Sequence, residues 1–104
     1  MTDLELSRMA KALGHPARVA ILRLLARQAC LCGEIVETLP LAQSTVSQHL
    51  KVLKDAGWIT GTIDGPGRCY ALDRDAIGAL RLVLDPLLVQ WEGAAHCATA
   101  SSCT

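Results

Sequence analysis

The stretch Leu41-Ala42-Gln43-Ser44-Thr45-Val46-Ser47-Gln48-His49-Leu50-Lys51-Val52-Leu53 decides how the rest of the chain is read. Val46, Leu50 and Leu53 recur at spacings of four and three, so they share one face of a helix. That helix is expected from about Gln43 or Ser44 to Ala56, with Gly57 stopping it at the C′ position. Short polar side chains crowd its other surface near the start: Gln43, Ser44, Thr45, Ser47, Gln48 and His49. Upstream, Gly33 to Leu39 reads as a shorter helix with Ile35, Val36 and Leu39 inward, ended by Pro40. Leu41 and Ala42 then form a tight connection between two amphipathic helices.

Working outward, the period changes after Gly57. Trp58 to Ile63 favours a strand, Asp64-Gly65-Pro66-Gly67 is dense turn chemistry, and Arg68 to Leu72 is a returning strand. On the N-terminal side, residues 4–14 read as a first helix closed by Gly14. Pro16 suits the first turn of a second helix that runs to about Arg27. Asp73 to Asp75 opens a last helix, from about Ala76 to Trp91, with a kink or break expected at Pro86. The expected fold is mainly α with a β-hairpin wing, a winged helix-turn-helix with a helix added at each end. Residues 1–92 form one domain, and 93–104 form a flexible tail that carries Cys97 and Cys103.

The composition narrows the function. The chain is 51% apolar, yet has only two Trp, one Tyr and no Phe, so the core must be aliphatic. A mean hydropathy of +0.31 is high for a single small domain and asks for a cover over apolar surface. A membrane is a poor cover, because the most apolar run, Ala79 to Trp91, is broken by Arg81, Asp85 and Pro86. Asp3, Glu5, Arg8 and Lys11 argue against a secretory signal. The expectation is a cytoplasmic homodimer with no membrane contact.

Net charge is zero, which counts against a purely electrostatic nucleic-acid binder. Between Gln43 and Tyr70, however, Lys51, Lys54 and Arg68 outnumber Asp55 and Asp64 by one. A polar helix face alone is what most solvated helices present. With a tight turn before it and a hairpin after it, the same face reads as a head for the DNA major groove. Lys51 and Lys54 suit flanking phosphates, and Arg68, just past the wing tip, suits a neighbouring groove or phosphate. No phosphate-cradling loop lies beside a Cys and no Cys-x-x-Cys occurs, so an enzyme is not expected.

Three segments carry a family resemblance: Ala12-Leu13-Gly14-His15-Pro16-Ala17-Arg18, the 41–53 stretch, and Ala56-Gly57-Trp58-Ile59. Together they closely resemble the ArsR/SmtB family, bacterial repressors that dimerise and leave DNA when an inducer binds. The resemblance covers about residues 5–90. It implies a repressor on an inverted-repeat operator in double-stranded DNA, with two reading helices about 34 Å apart. It also implies that the first and last helices form the dimer interface. Leu4 and Met9 fall on the first, and Leu80, Val83, Leu84, Leu87, Leu88 and Trp91 recur at three and four on the last. Ala42 departs from the pattern, since the family often has a Ser cap there. Either Ser44 takes over the capping or the helix frays at its start.

Five cysteines in a cytosolic chain point to sensing or metal binding rather than a disulfide framework. Cys30-Leu31-Cys32 precedes the reading head. In an extended stretch two such residues share a face about 6.6 Å apart, and thiolates select soft ions. The resemblance implies As(III) or Sb(III) as the favoured inducer, with Cd(II) and Pb(II) as further candidates and no obligatory cofactor. The arsenite pattern's third Cys is replaced here by Ile35 and Val36. Cys69 on the returning strand, or the pair Cys97 and Cys103, would complete the site. Two rivals stand beside this reading: a redox or persulfide sensor using a reversible Cys pair, and cysteines acting as small apolar filler. The family's zinc site needs a His pair that Asp85, Glu92 and His96 do not supply.

Overall fold

The structure, a computed structural model, describes residues 1–27, 39–64 and 67–95. The expected short helix before Pro40 (all but Leu39), Cys30, Cys32, the turn centre Gly65-Pro66, and Cys97 and Cys103 in the tail lie outside the described residues.

Helix α1 (Asp3–Leu13) opens with a capping box. The Thr2 hydroxyl accepts from the Glu5 amide at 3.2 Å, and the Glu5 carboxylate accepts from the Thr2 amide at 3.3 Å. Gly14 closes it, its amide donating to the Lys11 carbonyl. Helix α2 (Pro16–Arg27) begins on Pro16, where a missing amide costs nothing. Helix α3 (Gln43–Ala56) ends on Gly57, whose φ of 99° is the left-handed conformation that L side chains resist. Strands β1 (Ile59–Asp64) and β2 (Gly67–Leu72) pair antiparallel, with Gly61 opposite Tyr70 and Thr62 opposite Cys69. Helix α4 (Arg74–Glu92) starts from Asp73, whose carboxylate accepts from the Ala76 amide at 3.0 Å. The described architecture is therefore four helices and one two-stranded hairpin, a mainly-α winged helix-turn-helix.

Pro86 does not break α4, which runs unbroken over 19 residues. Of the kink or break expected from the sequence, the break is corrected here. Pro86 and Leu82 both lie on the exposed side, so the carbonyl that loses its amide partner faces solvent.

The core is aliphatic, as the composition requires. Met9 and Ala12 of α1, Ile21 and Leu25 of α2, and Val46, Leu50 and Leu53 of α3 converge on Ile59, Tyr70 and Leu80. Trp58 closes this cluster, and its indole N–H donates to the Met9 carbonyl at 2.8 Å, joining α1 to the root of the wing. The Asp73 amide donates to the Trp58 carbonyl at 3.0 Å and seals the base of the hairpin. Two members of the expected interface, Met9 and Leu80, are buried in this core and are corrected out of the dimer set. Both face their own domain because the inward stripe of a helix is filled first by the nearest apolar neighbours.

The ring of Tyr70 lies across Gly61. A Cβ at Gly61 would meet Tyr70 Cε1 at 2.8 Å, closer than real Cβ contacts allow. Gly61→Ala is therefore expected to destabilise the domain by about 1–3 kcal/mol. The same substitution placed in a Tyr70→Leu background should cost clearly less. Thermal unfolding of the four proteins in that cycle checks both expectations.

Candidate nucleic-acid interface

Helix α3 supplies the geometry of a reading head. Val46, Leu50 and Leu53 are wholly buried and seat it on the core, while Gln43, Ser44, Ser47, Gln48 and Lys51 are exposed and Thr45 is half-buried. Five of the six polar residues singled out at the start of the helix thus stand on its outer surface or edge. Lys54 is exposed too, and its ammonium lies 3.4 Å from where a Gly61 Cβ would stand, so it reaches back toward the wing. Arg68 occupies the second position of β2, paired with Ile63.

His49 is the exception, and its assignment to the DNA-facing set is corrected. Its side chain is turned inward and only 9% exposed. Nδ1 accepts a hydrogen bond from Arg18 Nε at 3.2 Å, and the His15 ring lies 4.5 Å away, centroid to centroid, tilted by 56°. The helical wheel gives the reason: His49 lies three residues after Val46 and four before Leu53, on the buried stripe. Burial holds the imidazole below its ordinary pKa of 6.5, and the His15 and Arg18 charges push in the same direction.

The start of α3 matches the departure noted in the sequence. Ala42 sits at the N-cap in extended backbone, φ −64° and ψ 149°, with no side-chain hydrogen bond to the first turn. Ser44 does not replace it as the cap residue, yet the helix begins at Gln43.

Of the expected interface residues, Leu4, Leu88 and Trp91 are exposed, and Val83, Leu84 and Leu87 are half-buried. Leu82, 80% exposed, and Val89, 71% exposed, are uncovered apolar residues that the sequence reading did not single out. Their signal was there, since each is an apolar residue on the far side of an already apolar helix. No described helix is long and apolar enough to cross a membrane.

Cys69 lies on β2, partly buried, and is disulfide-bonded. The chain's other cysteines, Cys30, Cys32, Cys97 and Cys103, all lie outside the described residues. Among the described residues no group of three or more His, Cys, Asp and Glu side chains is arranged to hold a metal ion.

Residues 15–60 match the model of the bacterial regulatory protein arsR family. The HTH-type transcriptional regulator Rv2034 of Mycobacterium tuberculosis is 41% identical over 75 residues, spanning 72% of this chain and 70% of that protein. The HTH-type transcriptional repressor SmtB of the same species is 46% identical over 63 residues, covering 60% of this chain and 46% of its own length. A homodimeric winged helix-turn-helix DNA-binding domain from Mycobacterium bovis, Mb0332, superposes with a TM-score of 0.67 at 21% identity, covering 95% of this chain and 97% of that one.

Two expectations follow from the α3 environment. Ala42→Ser supplies the missing cap and should raise stability by about 1 kcal/mol, read as a melting temperature higher by roughly 4–8 °C. His49 carries a lowered folded-state pKa, so the unfolded chain binds its proton more readily. Stability is then full above pH 6.5 and falls as the pH drops below that value toward the folded pKa. Melts between pH 7.5 and 5.5 should show this decline, and His49→Asn should flatten it.

Proposed function

The chain belongs to the ArsR family of bacterial regulatory proteins, a DNA-binding transcriptional regulator and not an enzyme; from that premise we propose a homodimeric repressor released from an inverted-repeat operator when its cysteines bind a thiophilic ion. The observation that carries the DNA reading is the split surface of α3, with three apolar residues buried and Gln43, Ser44, Ser47, Gln48 and Lys51 exposed. Short polar side chains let the helix backbone approach the bases, and Thr45 stands at the edge of that surface. Lys51, Lys54 and Arg68 take flanking phosphates, which position the head without reading sequence.

The homodimer reading rests on the uncovered apolar surface of α1 and α4. Leu4 of α1 and Leu82, Leu88, Val89 and Trp91 of α4 are each exposed, more apolar area than a small soluble monomer ordinarily leaves in water. The similarity to Mb0332, itself described as homodimeric, supports the same reading. Repression, rather than activation, is supported by the similarity to SmtB.

For the inducer, the favoured ion is As(III) or Sb(III), then Cd(II) or Pb(II), held by Cys30, Cys32 and Cys69. Cys69 is bonded to a second sulfur, so it stands within reach of another thiol that could share a soft ion with it. Thiolate sulfurs suit a thiophilic ion, whose role when bound would be to cross-link the thiolates. Cys97 and Cys103 are the other pair that would complete the site. The Cys69 disulfide equally favours a second reading, a redox switch in a cytoplasmic regulator. There, peroxide oxidises two thiols to one disulfide with release of two waters, so the bonded and ion-binding states exclude each other.

Fluorescence anisotropy on a duplex selected from a random pool tests the whole reading. Reduced wild-type protein should bind the duplex as a dimer and release it on adding arsenite. Cys30→Ser and Cys32→Ser should keep DNA affinity and lose the arsenite response, and loss of that response in Cys69→Ser or in Cys97→Ser tells which thiol completes the site. Release by peroxide alone, with no response to arsenite, would replace the metalloid sensor with the redox one.

A further inference from the structure

We propose that Arg18 and His49 form a clasp that fixes the seat of α3, making both positioning residues for DNA reading. The inference rests on the DNA-reading proposal above and extends it to residues that do not touch the groove.

The apolar seat of α3 is not directional. Val46, Leu50 and Leu53 gain by leaving water, and small rotations of the helix change that gain little. Hydrogen bonds are directional, and α3 receives one from outside its own helix at its inner face. Arg18 spans three helices: it belongs to α2, its Nη1 donates to the Ala12 carbonyl of α1 at 3.1 Å, and its Nε donates to His49 Nδ1 of α3 at 3.2 Å. The planar guanidinium fixes the angle between those two bonds, which a flexible ammonium would not. Arginine cannot accept, so Nδ1 is the unprotonated ring nitrogen and the neutral imidazole is the clasped form.

The third member is His15. Its Nδ1 accepts from the Ala17 amide at 3.1 Å, and its carbonyl accepts from the Arg18 and Val19 amides, so it is held at the start of α2. Its ring then packs against the His49 imidazole. His49 is one residue from Gln48 and two from Ser47, so any rotation at the clasp swings the outward side chains directly. The half-buried guanidinium adds a constraint, because removing His49's acceptor leaves an arginine N–H without its partner.

The test uses the full chain and the duplex that wild type selects from a random pool, with single-base variants of that duplex. Arg18→Met and His49→Leu are each expected to weaken binding by about tenfold, evenly across the base variants. The double variant should lose no more than either single one, because the two residues act as a unit. His49→Asn, which keeps an acceptor at the same branch point, should stay within about threefold of wild type. Circular dichroism checks folding, and if the Leu variant is unfolded, Arg18→Lys is read instead. It should fold and still lose affinity, since it cannot span both acceptors. The clasp is overturned if a folded Arg18→Lys or His49→Leu binds like wild type. It is also overturned if His49→Asn changes preference at a single base pair, the mark of a direct contact. Wild type selecting no duplex would instead sink the DNA reading itself, a result none of the variant comparisons can mimic.

Discussion

Two carbonyl oxygens on α1 hold this fold in register. The Met9 carbonyl receives the indole N–H of Trp58, and the Ala12 carbonyl receives a guanidinium N–H of Arg18. The core around them is nearly all aliphatic, and apolar contact alone permits small shifts of packed helices. Two buried or half-buried directional bonds remove that freedom. One ties α1 to the wing root just after α3 ends; the other ties it to α2 and, through His49, to α3. Ala12 lies in the last turn of α1, where carbonyls lack helical partners, so the Arg18 bond also satisfies a group that folding would otherwise strand.

The parts of the fold legible in the sequence were those set by local rules. The change of period after Gly57 and the αL stop at Gly57 are decided by neighbours, and both stand in the structure. The Thr2 and Glu5 capping box was equally local, though the reading passed over it. The failures were failures of covering. Periodicity tells which face of a helix is apolar, not what lies over it. Met9 and Leu80 therefore went to the interface when their own core claimed them, and Leu82 and Val89 were passed over on the side that nothing in the monomer covers.

His49 failed for a related reason. It was counted with its polar neighbours by residue type, although its spacing from Val46 and Leu53 puts it on the buried stripe. The wheel could have placed it inside, but not named its partner. Arg18 lies 31 residues away in sequence, and nothing local marks it as that partner. A polar residue on a buried stripe needs a partner, and the partner is a tertiary fact. The same holds for Cys69, whose face on β2 is local but whose bonded sulfur is not.

These placements bear on how a dimer could control a reading head. In the proposed assembly α1 offers Leu4 outward to the second copy and the Met9 and Ala12 carbonyls inward to its own domain. One short helix of 11 residues thus touches the interface on one side and both polar tethers on the other. A shift of α1 against its partner cannot be absorbed by side-chain rotamers alone, because the tethered atoms belong to the backbone. It must either break two hydrogen bonds or carry Trp58 and Arg18 with it, and with Arg18 goes the inner face of α3. Close packing favours the second course, since interiors move between discrete arrangements rather than deforming smoothly. Spacing between the two reading helices would then be set by how α1 sits on its twin, with no need for an inducer to touch α3 at all.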